Sequence, residues 1–136
     1  MATLICDIVT PVEKVYSEEC YMVTVPGEEG YMGFLPGHAP LMSTLADGEV
    51  RIFSDTTTLI NRFVCQGGYV QVTGEKVIVL ADRAMSVENI DAKDAAEQVT
   101  ELATQLESLA EDGAQRAVVA YDLKWYEILV AAAASK

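Results

Sequence analysis

The sequence is poor in positive charge, and this scarcity limits the partners it can have. Only 9 of its 136 residues are lysine or arginine, against 21 aspartate and glutamate residues, so the net charge is -12. A nucleic-acid-binding protein needs a basic surface to meet phosphates. A protein that docks on anionic lipid headgroups needs clustered lysine and arginine. The composition therefore argues against nucleic acid and against direct contact with an anionic membrane surface.

Residues that carry catalytic or metal chemistry are also scarce. His38 is the single histidine, and no Ser–His–Asp or Cys–His set can be assembled without it. The three cysteines, Cys6, Cys20 and Cys65, are odd in number and form no CxxC pair. They are expected to be small apolar residues of a reducing compartment rather than disulfide or zinc ligands. The glycines spell neither phosphate-binding loop motif. No catalytic residue, metal or cofactor is predicted.

Long hydrophobic runs are absent as well. No stretch reaches the roughly 18 consecutive apolar residues of a membrane-spanning helix. The N-terminal stretch MATLICDIVTP lacks the basic and apolar regions of a signal peptide. We therefore expect no direct insertion into a membrane.

The residues that are present follow two different patterns, which predict domains at 1–86 and 87–136. In the first, apolar residues alternate with polar ones and turn residues recur, as in an antiparallel sandwich or barrel. Gly74–Glu75 predicts a two-residue type II′ hairpin turn. The predicted strands are residues 3–9, 20–25, 50–53, 59–66, 69–73 and 76–80.

The second domain has helical periodicity. Asp91 is the expected N-cap of a first helix, and Asp112–Gly113 is the expected stop and turn. The apolar seam of the first helix is predicted at Ala92, Ala95, Val99, Leu102, Leu106 and Leu109. The seam of the second is predicted at Ala114, Val118, Tyr121, Trp125, Ile128 and Ala132. A two-helix hairpin buries little area alone, so it is either a mobile element or docked permanently; both alternatives stay open.

The stretch VPGEEGYMGFLPGHAPL, residues 25–41, packs four glycines and three prolines into a short span. With Leu45, Gly48 and Ile52 after it, this stretch resembles the N-terminal domain of the epsilon subunit of the F-type rotary ATP synthase, of the bacterial type. A second block, GGYVQVTGEKVIVLADRA, and the opening DIVTPVEKVYS also resemble that family. The resemblance covers nearly all of residues 3–91.

The resemblance implies a flattened antiparallel β-sandwich of about ten strands, followed by a two-helix C-terminal domain. It implies a non-catalytic central-stalk subunit that couples the membrane c-ring and the gamma shaft to ATP synthesis, held peripherally on the cytoplasmic side of the cell membrane. The residues implied to face the c-ring are Glu28, Glu29, Gly30, Tyr31, Met32 and Gly33. Those implied in the sandwich motif for gamma are His38, Ala39, Pro40 and Leu41. For Tyr31 and Met32, local packing on an edge strand is the alternative.

Two departures from the family pattern carry predictions. The family's ATP-sensing motif has a remnant at Ile90, Asp91, Asp94 and Ala95, but Asp94 stands where the family has arginine. A carboxylate beside a triphosphate is unfavourable, so tight ATP binding is not expected.

The second departure is charge. Residues 87–136 hold 10 acidic and 4 basic residues. In the family the extended hairpin reaches the alpha/beta catalytic head and blocks rotation through basic residues. We therefore expect weak inhibition of ATP hydrolysis here, or inhibition through the apolar end WYEILVAAAA.

A different class of protein also fits the pattern: a free-standing β-sandwich binding module with a helical oligomerisation tail. Co-purification with a gamma-like shaft protein separates the two. A nucleotide sensor acting through the hairpin is disfavoured by Asp94.

Overall fold

The computed structural model describes residues 2–109 and 113–135 of the chain. They form two compact units, Met1–Ser86 and Val87–Lys136, and each is described by itself. The first unit consists of ten strands: β1 (Leu4–Val9), β2 (Lys14–Cys20), β3 (Met22–Gly27), β4 (Gly30–Phe34), β5 (Leu41–Thr44), β6 (Gly48–Phe53), β7 (Leu59–Gln66), β8 (Tyr69–Val72), β9 (Lys76–Leu80) and β10 (Arg83–Ser86).

The strands make two five-stranded sheets. The first sheet has the order β2-β1-β9-β8-β5, and the second has the order β10-β7-β6-β3-β4. This architecture confirms the predicted ten-stranded sandwich, except that it is not antiparallel throughout. β1 and β9 run parallel, from Ile5 opposite Lys76 to Val9 opposite Leu80. On its other side, β1 pairs antiparallel with β2, and β9 pairs antiparallel with β8. The parallel β1–β9 pair therefore joins two antiparallel hairpins into one sheet.

The core lies between the sheets and is built from alternate residues of the central strands. Fully burying a valine, leucine, isoleucine or phenylalanine side chain contributes about 1.5–3 kcal/mol. Cys6, Cys20 and Cys65 are buried and form no disulfide, which confirms their predicted role as small apolar residues. The aliphatic and aromatic members of the core cluster are Leu4, Ile8, Val23, Val25, Phe34, Leu45, Val50, Ile52, Phe63, Val70, Val72, Val77, Val79 and Ala81.

The β8–β9 turn has the predicted length but not the predicted type. Thr73 N donates to Lys76 O at 2.8 Å, which closes a two-residue hairpin. A type II′ turn needs positive φ at its first central residue, and Gly74 is not among the glycines with positive φ. The type II′ prediction is therefore wrong. The Gly74 carbonyl instead accepts from the Gly37 amide at 2.8 Å, which ties this turn to the 36–37 turn of the same unit.

The second unit contains a 3₁₀ turn, Val87–Asn89, and two helices, α1 (Ala92–Glu107) and α2 (Ala114–Ala133). The N-cap prediction is confirmed, because the Asp91 carboxylate accepts from the Asp94 amide at 3.0 Å. α1 ends earlier than predicted, with Ser108 as its C-cap. Of the predicted stop, Asp112 lies outside the described residues and Gly113 is the N-cap of α2. In the described part of the chain, no helix is long and apolar enough to cross a bilayer.

The predicted seam of α1 is half-buried along Val99, Leu102, Leu106 and Leu109, with Ala95 buried and Ala92 exposed. In α2 the buried residues are Val119, Trp125, Leu129 and Ala132.

The predicted seam of α2 is therefore wrong by one residue at two positions, where Val119 and Leu129 are buried in place of Val118 and Ile128. Val118 is 61% exposed, and Tyr121 lies at the exposed margin of the helix. Ile128 is half-buried beside the buried Leu129. Val118–Val119 and Ile128–Leu129 are apolar pairs, so periodicity alone cannot choose which member faces inward.

Candidate partner-binding site

The predicted ring-facing residues lie on the β3–β4 hairpin rather than in an open loop. β3 and β4 pair as far as Gly27 opposite Gly30, so the turn consists of Glu28 and Glu29 alone. Gly30 has φ of +131°, a conformation that residues with a side chain rarely adopt, so this tight turn requires glycine. Both glutamates are exposed. The hairpin therefore presents two adjacent carboxylates on a short, well-paired support.

Tyr31 and Met32 separate to the two faces of β4. Tyr31 is 58% exposed, and the Arg51 guanidinium carbon lies 5.7 Å from its ring centroid. This distance is within reach of a cation–π interaction. Met32 is partly buried and packs against the core cluster. Of the two alternatives raised from the sequence, local packing describes Met32, whereas Tyr31 remains available on the surface. Gly33 is exposed on the same strand.

A cleft adjoins this hairpin. It has a volume of about 300 Å³ and brings Ser43 and Thr44, from the edge strand of the first sheet, next to the hairpin of the second sheet. Its other lining residues are Gly27, Glu28, Glu29, Gly30, Tyr31 and Met32. The cleft therefore joins the two sheets at one edge of the sandwich, and five of the six predicted ring-facing residues line it.

The segment with His38 is a folded turn leading into β5. The His38 ring meets the Phe34 ring edge-on, with centroids 5.1 Å apart and planes at 88°. Its Nδ1 atom lies 2.7 Å from the Ala39 carbonyl oxygen. His38 thus packs against a core aromatic, which agrees with a packing or contact role. Ala39 and Pro40 are exposed.

β5 continues this surface with apolar side chains. Leu41 is 37% exposed and Met42 is 64% exposed. β5 is an edge strand that pairs with β8. Solvent-exposed edge strands invite contact with another chain, and here the turn at His38 and the start of β5 expose apolar side chains at a sheet edge, beyond the predicted residues as far as Met42.

The remnant of the nucleotide motif has a structural use. Ile90 and Ala95 are buried, while Asp91 and Asp94 are exposed. The Asp91 carboxylate caps α1 through the Asp94 amide. Two carboxylates therefore lie at the start of α1. Their negative charge stabilises the helix through its dipole and repels a polyphosphate.

The side chains that could bind a metal ion or act as nucleophiles were compared over residues 2–109 and 113–135. These residues hold no cluster of three or more histidine, cysteine or acidic side chains suited to a metal ion. Burial raises the pKa of the Cys65 thiol to about 12 and that of Cys20 to about 11. Burial, followed by the charges of Cys20, Asp7 and Cys65, also raises the pKa of Cys6. Burial therefore favours the protonated form of each thiol, which is the less nucleophilic form.

Two charged clusters were missed from the sequence. On the second sheet, Arg62 donates from Nε to Glu49 Oε1 at 2.6 Å and from Nη2 to Glu49 Oε2 at 3.0 Å. Burial alone would raise the pKa of Glu49, but the hydrogen bonds and charge of Arg62, with the charge of Arg51, lower it. Arg51 links this pair to Tyr31, because its Nη2 lies 3.7 Å from Glu49. The sequence shows acidic and basic residues on the segments that form β6 and β7. Which of these charges pair depends on the register of the two strands, which the sequence does not give.

The second cluster surrounds Asp7, which is 3% exposed. Ser17 donates to its carboxylate at 2.6 Å, and the Lys76 and Lys14 amines lie 3.0 Å and 3.7 Å away. The loss of solvent raises the pKa of Asp7, but the Ser17 and Lys76 hydrogen bonds and the two lysine charges outweigh it and lower the pKa. This cluster satisfies a buried carboxylate and ties β1 to β2 and β9.

Comparison with known proteins adds a family to this geometry. Residues 3–87 match the family described as "ATP synthase, Delta/Epsilon chain, beta-sandwich domain". The ATP synthase epsilon chain of Dehalococcoides mccartyi (strain BAV1) is 45% identical over 91 residues, which are 67% of this chain and 64% of that one. That alignment spans less than two thirds of the relative. The epsilon chain of Bordetella avium is 36% identical over 126 residues, 88% of this chain and 89% of its own.

Two solved structures contain chains of similar fold. A chain of the Euglena gracilis mitochondrial ATP synthase, in a structure of its OSCP/F1/c-ring, has a TM-score of 0.78 and 26% identity, and covers 97% of this chain and 82% of its own. A chain of the Tetrahymena thermophila mitochondrial ATP synthase central stalk and c-ring shares the fold, with a TM-score of 0.59, 12% identity and 96% of both chains covered.

Proposed function

The chain belongs to the delta/epsilon chain family of ATP synthases, and we propose that it is the non-catalytic epsilon subunit of the central stalk. In this role it couples the membrane c-ring and the gamma shaft to ATP synthesis. The observation that carries the proposal is the match of residues 3–87 to the family's sandwich domain. The likeness of nearly the whole chain to a subunit of an F1/c-ring assembly supports it further.

The β3–β4 hairpin is the proposed c-ring contact. Its turn carries the exposed Glu28 and Glu29, and Tyr31 stands beside them. A short paired hairpin loses little conformational freedom on binding, which lowers the cost of association. Carboxylates and a tyrosine hydroxyl suit a polar loop of the ring better than its apolar, lipid-facing surface. This contact would hold the subunit peripherally at the cytoplasmic side of the cell membrane.

The turn at His38 and β5 form the proposed gamma contact. Ala39, Pro40, Leu41 and Met42 present a largely apolar exposed surface. The turn is supported from below by the His38–Phe34 ring contact and by the Gly37–Gly74 hydrogen bond. A preformed apolar surface of this kind suits a lasting contact between subunits more than a transient one.

Residues 87–136 form the proposed regulatory domain, which reaches the alpha/beta head when the hairpin extends. Its excess of acidic residues, 10 against 4 basic, supports only weak inhibition of ATP hydrolysis through charge. Catalysis in this proposal belongs to other subunits of the complex, and this chain acts mechanically.

Affinity capture of the tagged chain from its own cells tests the proposal. We expect gamma and c-ring subunits to be recovered with the wild-type chain. We expect the variant Glu28→Lys/Glu29→Lys still to recover gamma, whereas the complex that contains it loses ATP-driven proton pumping, which measures coupling to the c-ring. The matched control is Glu18→Lys/Glu19→Lys, which reverses two adjacent exposed carboxylates on β2.

Recovery of the tagged chain only as a homo-oligomer, without ATP synthase subunits, would contradict the proposal and favour a free-standing binding module. Equal coupling by the two charge-reversed variants would contradict the assignment of the hairpin surface alone.

A further inference from the structure

Arg116 connects the start of α2 to the end of α1. It lies in the first turn of α2, and its Nη1 atom donates to the Leu106 carbonyl of α1 at 2.7 Å. The same nitrogen lies 3.5 Å from the Leu109 carbonyl. The side chain is half-buried. One guanidinium group from α2 thus holds the carbonyl end of α1.

The need for this contact follows from how the two helices are capped. The last carbonyls of any helix lack partners within the helix and carry partial negative charge. α1 has no basic residue in its own last turn. The N-cap of α2 is Gly113, which makes no side-chain hydrogen bond. Arg116 therefore supplies the cation and the donor that α1 lacks, and it does so only while the helices lie side by side.

The other charged groups of the unit are placed differently. Lys124, the other basic residue of α2, is exposed. Asp91 is engaged as the N-cap of α1. Binding a polyphosphate through Arg116 would require the guanidinium to leave the carbonyls of α1.

We infer that Arg116 is a latch that keeps the α1–α2 hairpin closed without a bound nucleotide. Opening the hairpin separates the guanidinium from Leu106 and leaves the end of α1 without its cation. The inference concerns this contact and holds whether or not the proposed role in the ATP synthase is correct.

Hydrogen exchange on the full chain, read by mass spectrometry over residues 102–109 and 114–122, tests the latch. A hydrogen bond to a charged group contributes enough for its loss to raise opening by roughly tenfold. We expect Arg116→Ala to raise exchange in both segments by about this factor. Arg116→Gln, which keeps a neutral donor, should raise it less. The matched control Lys124→Ala should leave it unchanged, and peptides of the sandwich report that each variant is folded.

The same measurement is repeated with Mg-ATP at millimolar concentration. We expect no further protection of the wild-type hairpin. Segments that exchange freely without nucleotide and become protected only with Mg-ATP would overturn the inference that the hairpin closes without nucleotide. Equal exchange in Arg116→Ala and Lys124→Ala would overturn the latch itself.

Discussion

Gly68 is the position in the sandwich where one added methyl group should do the most damage. It follows β7 with φ of +103°, and a Cβ placed there would lie 1.7 Å from the Leu80 carbonyl oxygen. The Cα of Ala81 would be 2.9 Å away. Both contacts are with backbone, which cannot swing aside as a side chain can. The Gly68 carbonyl also accepts from the Leu45 amide at 3.0 Å, so the segment itself is held in place.

The expected cost of Gly68→Ala has two parts, and Gly37 separates them. An alanine at positive φ costs about 1–2 kcal/mol. Overlap with packed neighbours adds about 1–3 kcal/mol. Gly37 has φ of +84°, but a Cβ there meets nothing within 4 Å. We therefore expect Gly37→Ala to lose about 1–2 kcal/mol of unfolding free energy and Gly68→Ala to lose about 2–5 kcal/mol, because only Gly68→Ala adds the overlap cost.

Urea unfolding of the two variants and the wild type, followed by far-ultraviolet circular dichroism, gives the comparison. The midpoint should fall for both variants and fall further for Gly68→Ala. A Gly68→Ala chain that is unfolded without urea agrees with the reasoning, provided that Gly37→Ala folds. Equal midpoints for the two variants would refute it, because only the steric overlap distinguishes them.

Three further predictions concern charge, capping and thiols. Because Glu49 has a pKa lowered from 4.5, its pair with Arg62 stabilises the fold fully above about pH 4.5 and less as the pH falls through the lowered value. Glu49→Gln should lower the free energy of unfolding by about 2 kcal/mol at pH 7. In urea titrations taken from pH 6 to about 3, this variant should lose less further stability than the wild type. Parallel curves of unfolding free energy against pH would contradict this. Asp91→Ala should cost α1 about 1 kcal/mol, and Asp94→Ala only a few tenths of that through the helix dipole; equal loss of helical signal on heating would refute the cap. The buried thiols should react with a thiol reagent at pH 8 only after urea unfolds the chain, since the thiolate is the reactive form; fast labelling of the native protein would be the contrary result.

Much of the fold could be predicted because its signals are local. The turn signals at Gly67–Gly68 and Gly74–Glu75 identified β7 and β9 with their observed bounds. Asp91 before the helical pattern identified the start of α1, since capping depends on residues three apart. The division of the chain into a strand-rich and a helical segment rested on the same kind of signal.

What could not be predicted depends on contacts between distant residues. The Glu49–Arg62 pair requires the β6–β7 register, which shifts between Ile52 and Phe53. The parallel β1–β9 pairing joins strands from opposite ends of the unit. In α2, the choice of Val119 over Val118 is made by packing, because either residue satisfies an apolar seam.

The candidate site was predicted as a set of residues but not as a structure. The predicted strands did not include residues 30–34, yet Gly30–Phe34 is strand β4, because β3 offers it a complete ladder of partners. Met32 faces the core and Tyr31 faces solvent, because successive side chains of a strand point to opposite faces of the sheet. Short strands such as β5 and β10, with four residues each, carry too few residues to show a period.

The measurement that tests the central claim most directly is ATP-driven proton pumping by the parent complex in sealed vesicles. The complex would be assembled with the full chain, with a chain ending at Ser86, and without the chain. The account predicts that the truncated chain restores most of the pumping, because the sandwich carries both proposed contacts. Pumping that is equally absent with the truncated chain and without any chain, although the truncated chain is bound to the complex, would contradict it.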